Sequence, residues 1–584
     1  MLAHRLRSTG AAIAALFALL PTTLSCRGTG AAPEPVSPLA FDPSRADLPN
    51  LASPAALRDF DRGLELWLAG EGLAARRSFE RVTVLEPEHS AGWWGLALAL
   101  GPRAASQPFE IDGGVESHED PYEDPYQAFE AAQRALELSA GGDDPERTRA
   151  AALALRYEAA GSGARLAQDH AYASALQSAD VDGGATAREL ALLADAWLVV
   201  DQRLRSDGDS GDEAPPAALL ARAAIDRALA LEPDHVGALR LHLILLRRSD
   251  DAEAAAKVAE RVGGAWVTPT VLCEAARAFV RAGEHRRAAD LAEQAAAAAA
   301  AWNEWARASG LGDIADVSAA LRLAWRCAAR AGQGVRAIDL ARRAALALAD
   351  APSKGPSEGP SEGPERVTYL ADPICALARF GRWSELLALP APEAAHPFTA
   401  GMAHYGRCLA HTHFGELAAA DRELLLLRAS CKDRRLVDLQ LADGASAARL
   451  LELALLVAEA RLAQVRGDDA LALEKLRRGV RLQDEWPSEA PSPWYLPMRQ
   501  ALGNALVAAG RHAEAEVSYE QALALRPRDA WSLYGLESSL RWQGLGHQAQ
   551  LVHAEFRTAW EHADVDLGKF TNACAAATPA APKR

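Results

Sequence analysis

From Gly510 to Pro527 the chain reads Gly-Arg-His-Ala-Glu-Ala-Glu-Val-Ser-Tyr-Glu-Gln-Ala-Leu-Ala-Leu-Arg-Pro, with Gly510, Ala515, Tyr519, Ala522 and Pro527 separated by five, four, three and five positions. The same intervals separate Gly70, Ala75, Phe79, Val82 and Pro87. A glycine permits the sharp turn between two antiparallel helices, and a small residue five positions on lets those helices approach closely. The aromatic and the second small residue then fall on the same helical face, and proline stops the helix. Leu502, Gly503 and Leu506 supply the helix before Gly510, while Trp93, Leu96, Ala97 and Leu100 open the next one after Pro87.

Degenerate copies recur along the chain: Gly283, Ala288, Ala292, Ala295; Gly332, Ala337, Ala341, Ala344; Gly415, Ala420, Leu424, Leu427; and Gly467, Ala472, Leu476, Gly479. Ala221, Ile225, Ala228 and Pro233 make another, Gly544 with Ala549 begins a last one, and Ala128, Ala132 and Ala135 mark an isolated second helix. The pattern resembles the tetratricopeptide repeat (TPR), a helical hairpin of about 34 residues. The resemblance implies an all-α, TPR-like α-solenoid of antiparallel hairpins.

Composition agrees with this reading. The 584 residues are 49% hydrophobic but only 6% aromatic, the balance being alanine, which favours helix and buries little area per residue. With 62 Lys and Arg against 78 Asp and Glu, the net charge of −16 argues against nucleic acid as the partner. The seven cysteines form no CxxC pair, which excludes a zinc-finger array, and no pairing can be read from their positions.

The organisation follows from composition shifts. Residues 1–26 carry the cationic His4-Arg5-Leu6-Arg7, an apolar run from Ala11 to Leu20, and Thr22-Thr23-Leu24-Ser25-Cys26. An apolar run of ten spans only about 15 Å as a helix, half a bilayer core, so an export signal is expected here rather than a membrane span. Its end resembles a bacterial lipoprotein signal, which implies lipidation of Cys26 and a body in the periplasm; a secretory signal cut nearby is the alternative. Residues 27–50 read as a flexible tether, 51–350 as an N-terminal array, 351–366 as a Gly/Pro/Ser/Glu linker, 367–570 as a C-terminal array and 571–584 as a frayed tail. Two long loops interrupt the first array, the acidic Phe109 to Tyr126 and Asp207 to Pro216. The latter superficially resembles a calcium loop, but Gly211 comes one residue early and Ala218 stands where a bidentate glutamate is needed.

Several segments are similar to one group of exported bacterial tetratricopeptide proteins. They include Phe60-Asp61-Arg62-Gly63-Leu64, Trp94 through Pro102, Leu231-Glu232-Pro233-Asp234-His235, Arg379-Phe380-Gly381-Arg382-Trp383 and Pro493-Trp494-Tyr495-Leu496-Pro497-Met498-Arg499. The resemblance implies an exported helical scaffold and no particular reaction. Members often carry a histidine-rich middle; here only His242 stands in Leu239-Arg240-Leu241-His242-Leu243-Ile244, and the following segment reads Val267-Thr268-Pro269-Thr270-Val271-Leu272-Cys273.

One cluster invites a metal reading. His404, Cys408 and His411, at offsets of four and seven and preceded by His396, share a helical face within reach of a borderline-soft metal such as zinc. The competing reading makes them packing residues of a first helix, with His411 and His413 suited to its C-terminal dipole. No HExxH, Walker or dinucleotide motif occurs, and neither a catalytic set nor a cofactor is expected. The expected function is a cell-envelope interaction scaffold that binds a peptide or protein in concave grooves lined by first helices, with Trp93, Arg499, Asn504 and Trp531 as groove candidates. A metal-dependent hydrolase or metal-handling protein using the His404 cluster is one alternative, and a cell-wall glycan binder is another. Metabolic labelling with a radioactive fatty acid in a bacterial host is expected to mark the wild-type protein and to leave Cys26→Ala unlabelled.

Overall fold

The computed structural model describes residues 49–567 apart from 105–123, 142–143, 158–164, 181–182, 207–215, 248, 250, 263–267, 309–314, 350–363, 391–395, 442–444 and 486–493. The export signal with Cys26, most of the tether, most of the linker, most of both long loops and the tail therefore lie outside the described residues. Within them the chain is all-helical, a tetratricopeptide-like succession of antiparallel hairpins. It divides into two compact units, the N-terminal one spanning described residues 49–331 with the turn Arg526–Asp529, and the C-terminal one spanning 332–525 and 530–567.

The N-terminal unit runs α1 (Pro54–Leu68), α2 (Gly72–Leu85), α3 (Ser90–Leu100), α4 (Pro125–Leu138), α5 (Asp144–Leu155), α6 (Arg165–Ala179), α7 (Ala187–Ser206), α8 (Pro216–Leu231), α9 (Val236–Arg247), α10 (Ala252–Val262), α11 (Pro269–Arg281), α12 (His285–Ala308) and α13 (Val317–Arg330). The C-terminal unit runs α14 (Gly334–Ala349), α15 (Pro364–Arg379), α16 (Trp383–Ala388), α17 (Pro397–His413), α18 (Leu417–Ser430), α19 (Ala447–Val465), α20 (Asp469–Asp484), α21 (Met498–Ala508), α22 (His512–Leu525), α23 (Ala530–Trp542) and α24 (Gly546–Ala559). Odd-numbered helices take the first position of the repeat and even-numbered ones the second, with α13 and α14 falling in different units. In each unit every helix packs on the next, and first helices also touch the first helices of adjacent hairpins, as α1 touches α3 and α21 touches α23.

The hairpin turns are where the sequence anticipates them. Gly70, Gly283, Gly332, Gly415, Gly467, Gly510 and Gly544 all take φ between +72° and +93°, a region that costs a residue with a Cβ. The amide after each of six of these glycines returns to a carbonyl five residues back, as Arg511 N does to Leu506 O at 2.8 Å and Glu71 N to Leu66 O at 2.8 Å. This closes the helix end and aims the chain backward.

Stacking between hairpins depends on a ring held between two glycines. An ideal Cβ at Gly63 would lie 2.8 Å from the Phe79 ring and one at Gly95 only 2.2 Å, so Phe79 of α2 fits only because both neighbouring first helices lack a side chain there. Tyr519 of α22 repeats the arrangement between Gly503 and Gly535, at 2.6 and 2.2 Å. Ala75, Ala288, Ala337, Ala420, Ala472, Ala515 and Ala549, the small residues of the motif, are all buried.

The end of the C-terminal unit returns to its beginning. Asp564 accepts from Gly334 N at 2.6 Å and Val335 N at 3.0 Å, supplying the N-terminus of α14 with acceptors from far along the chain. The Trp560 ring lies over Gly332, where a Cβ would come within 2.4 Å. The helix Gly334–Ala349, read from sequence as the last of the first array, thus groups with the C-terminal unit.

Truncating Tyr519 to alanine is expected to destabilise the C-terminal unit by about 3 to 5 kcal/mol in denaturant unfolding, because the gap between two backbones cannot collapse. Asp564→Ala is expected to cost about 1 kcal/mol, the usual value of a helix cap.

Candidate functional site

The inner, first-helix side of each unit is where a groove is expected, and in both units it is filled by the protein's own side chains. In the C-terminal unit the Arg379 guanidinium of α15 lies 4.0 Å from the centre of the Trp531 ring of α23 and donates to Gln500 Oε1 of α21 at 3.1 Å. Phe380 and Trp560 also meet Trp531, at ring separations of 6.0 and 5.3 Å. Tyr405 of α17 and Tyr495 pair hydroxyl to hydroxyl at 2.6 Å, with Trp494 against Tyr405. Burial pushes both phenols above their ordinary range.

The N-terminal unit fills its interior with charge. Arg188 of α7 is held between Asp61 and Glu65 of α1, its Nε donating to Glu65 at 2.7 Å. Asp169 of α6 accepts from Nε of Arg156, just after α5, at 2.7 Å and from Arg203 of α7. These side chains are nearly all buried. The Arg156 guanidinium lies 4.9 Å from the centre of the Tyr172 ring. Asp195 of α7 takes the Ala104 amide at 3.1 Å, and burial holds its carboxyl above the ordinary range despite the nearby Arg240 and Arg156.

The C-terminal end of α1 is the focus of these contacts. The last carbonyls of a helix have no partner within it and carry the negative end of its dipole. Here Leu68 O accepts from Arg240 Nη1 of α9 at 2.9 Å, Ala69 O from Thr268 Oγ1 at 3.2 Å, and Gly70 O from Arg103 Nη1 at 2.8 Å. Arg240 Nη2 donates onward to Ala104 O at 2.7 Å, and Glu71 accepts from Thr270 N at 3.0 Å. Burial lowers the Arg240 guanidinium to about 10 and raises the Glu71 carboxyl. The first hairpin is thereby tied to the hairpins of α9 and α11, nearly two hundred residues on. Sequence reasoning passed over these residues; the available signal was a lone arginine within an apolar helix, Leu239-Arg240-Leu241.

The residues singled out in the sequence do not converge. His404 Nδ1 meets Glu423 at 2.7 Å, His411 Nδ1 meets Glu416 at 2.6 Å, and His396 Nδ1 accepts from Phe398 N at 3.3 Å at the start of α17. Cys408 is buried, which pushes its thiol up to about 12. Among the described residues no three His, Cys, Asp or Glu side chains gather as a ligand set, and Cys273, Cys327, Cys375, Cys408 and Cys431 are unbridged. Of the groove candidates, Trp531 is buried as described, Asn504 is exposed and accepts from Tyr519 Oη at 2.7 Å, and Arg499 pairs with Asp484. Trp93 is half-buried against the core, its indole donating to Pro87 O at 2.8 Å.

The outward surface differs. Among the described residues, every exposed large hydrophobic within a helix, apart from Trp542 at the end of α23, belongs to a second helix: Val84 and Leu85, Tyr126, Leu219 and Leu231, Val335, Leu425 and Leu426, Leu471, Val517 and Leu525, and Leu551.

No family model matches the chain, and no curated protein does. Among solved structures it is similar to the APC/C hetero-tetramer Cut9–Hcn1, at 13% identity over 89% of each chain with a TM-score of 0.28. It is also similar to Naa15/Naa10 bound to HypK-THB, at 13% identity over 86% of this chain and 68% of that one with a TM-score of 0.23. The human IFIT1 dimer with m7Gppp-AAAA matches at 12% identity over 87% and 90%, with a TM-score of 0.27. Likeness at this level says nothing of what this chain binds.

Arg188→Met is expected to lower the stability of the N-terminal unit by about 3 to 5 kcal/mol, since it strands two buried carboxylates, and adding Asp61→Leu and Glu65→Leu to recover much of that loss in the same unfolding measurement.

Proposed function

We propose that the chain is an exported, lipid-anchored scaffold of the bacterial cell envelope that binds a protein partner through the outward faces of its second helices. The observation that carries this reading is the separation of surfaces. First helices spend their apolar and charged side chains on each other inside each unit, whereas second helices leave leucines and valines in water. Leu425 and Leu426 of α18 are the clearest pair, 67% and 47% exposed on a helix whose Leu424 and Leu427 are buried. Scattered exposed apolar residues are ordinary, but their concentration on one class of helix along the array suits a repeated contact surface. Recognition without turnover is the reading this surface suits. The interior groove first expected is the competing binding mode, with Arg499 and Asn504 as its accessible residues.

Affinity purification of the full-length protein extracted from membranes separates the two. The Leu425→Glu, Leu426→Glu double variant is expected to lose a stoichiometric protein partner with little change in melting temperature, while Arg499→Ala and Asn504→Ala retain it. Retention by the double variant together with loss in Arg499→Ala or Asn504→Ala would move the binding surface to the interior.

A further inference from the structure

Helix α9 occupies a singular position in the N-terminal unit. It packs on α8 and α10 along the chain, on the first helices α7 and α11 of the adjacent hairpins, and also on the distant α1. Its inward residue Arg240 holds Leu68 O of α1 and Ala104 O, two backbone acceptors with which no other side chain of α9 bonds. Two positions on, His242 points to a different neighbourhood. Its residue is 8% exposed, and both ring nitrogens are buried without a hydrogen-bond partner among the described residues.

We infer that α9 is an acid-sensitive clasp: charging the His242 ring frees the helix and, with it, the two Arg240 bonds that hold the end of α1 and the segment after α3. An imidazolium needs two acceptors, and the ring has none. The charged groups facing it are Arg222 and Asp226 of α8 and Arg261 of α10. Asp226 is already engaged by Arg222 at 3.0 Å, and Arg261 holds Pro233 O at the lead-in to α9, so a new cation would meet a surplus of positive charge. The carboxylates that approach α9 from the other side, Asp195 of α7, Glu274 of α11 and Glu71 before α2, face Arg240, as does Arg103. The N-terminus of the helix is itself capped by an imidazole, His235 Nδ1 accepting from Ala238 N at 3.1 Å.

The sign follows from linkage. Burial, reinforced by Arg222, lowers the ring from its ordinary 6.5 to about 4. The open state therefore binds the proton more tightly than the closed one, so the stabilisation is fully present above pH 6.5 and is lost as pH falls toward 4. A chain exposed to the external medium would feel this range directly. The consequence concerns the closure of the N-terminal unit and is independent of which surface carries the partner.

The test is hydrogen exchange of the full chain from pH 7.5 to 4.5, corrected for intrinsic rates and read in the segments holding Leu66 to Glu71 and Leu98 to Ala104. Below pH 6.5 the opening constant is expected to rise about tenfold per pH unit in wild type and to stay flat in His242→Leu. Arg240→Met is expected to exchange fast in both segments at every pH, because the clasp is already gone. An equal slope in His242→Leu would overturn the inference. Should that variant not fold, the His242 ring is followed by NMR in wild type, where titration at the ordinary histidine value would overturn it equally.

Discussion

A helical hairpin has one apolar face and no way of covering it alone, so the structure depends on how closely one hairpin can approach the next. Here the approach is fixed by an aromatic ring lodged between two glycines, Phe79 between Gly63 and Gly95 and Tyr519 between Gly503 and Gly535. Dispersion gains rise steeply as the gap closes, and a single methyl at either glycine would overlap the ring. Where the ring is absent the same position is a buried alanine or leucine, as at Ala292, Ala341, Leu424 and Leu476. The alanine-rich composition is then understandable. Small side chains allow close stacking over many repeats, at the cost of less apolar burial from each.

Within each unit, contacts also join hairpins that are far apart in the sequence. In the C-terminal unit Arg379 reaches Gln500 and Trp531 across hairpins far apart in sequence, and Asp564 returns to the start of α14. In the N-terminal unit Arg240, Thr268 and Arg103 converge on three successive carbonyls at the end of α1. The two units therefore solve the same geometric problem with different chemistry, aromatic in one and ionic in the other. Buried ion pairs add little net stability over an apolar filling, because desolvation offsets most of the attraction. What they supply is discrimination, since a slipped register would leave Asp61, Glu65 or Asp169 buried without a cation. Closure at defined positions, rather than affinity between helices, is the consistent role for the charges.

The division between what the sequence disclosed and what it withheld follows this physics. Turn glycines, the small residue five positions later and the ring four beyond that are local requirements, so they recur at fixed intervals and can be read directly. Contacts such as Arg188 with Asp61 join residues 127 apart and leave no interval to recognise. The best available hint was a polar residue inside an apolar helix, as at Arg240 and His242, where burial of a polar group demands a partner or a reason. The histidines of α17 show the opposite hazard. Offsets of four and seven correctly placed His404, Cys408 and His411 on one helix, but a shared face does not make a shared ligand site. Each histidine finds a different glutamate, and the thiol between them is turned into the core.

These same constraints decide where recognition can occur. A first helix packs on second helices and on neighbouring first helices, so its side chains are committed to packing, and a polar residue there is an internal bond before it is a contact for anything else. Trp531, large and aromatic on a first helix, had the features of a binding residue and instead forms the floor under Arg379. Second helices pack on the first helices before and after them and keep an outward face in water. Natural selection can change their outward residues without disturbing the stack, because the motif positions Ala420, Leu424 and Leu427 face inward while Leu425 and Leu426 do not. Packing within each unit therefore leaves variability to the outward residues, and these are the residues on which the proposed partner contact rests.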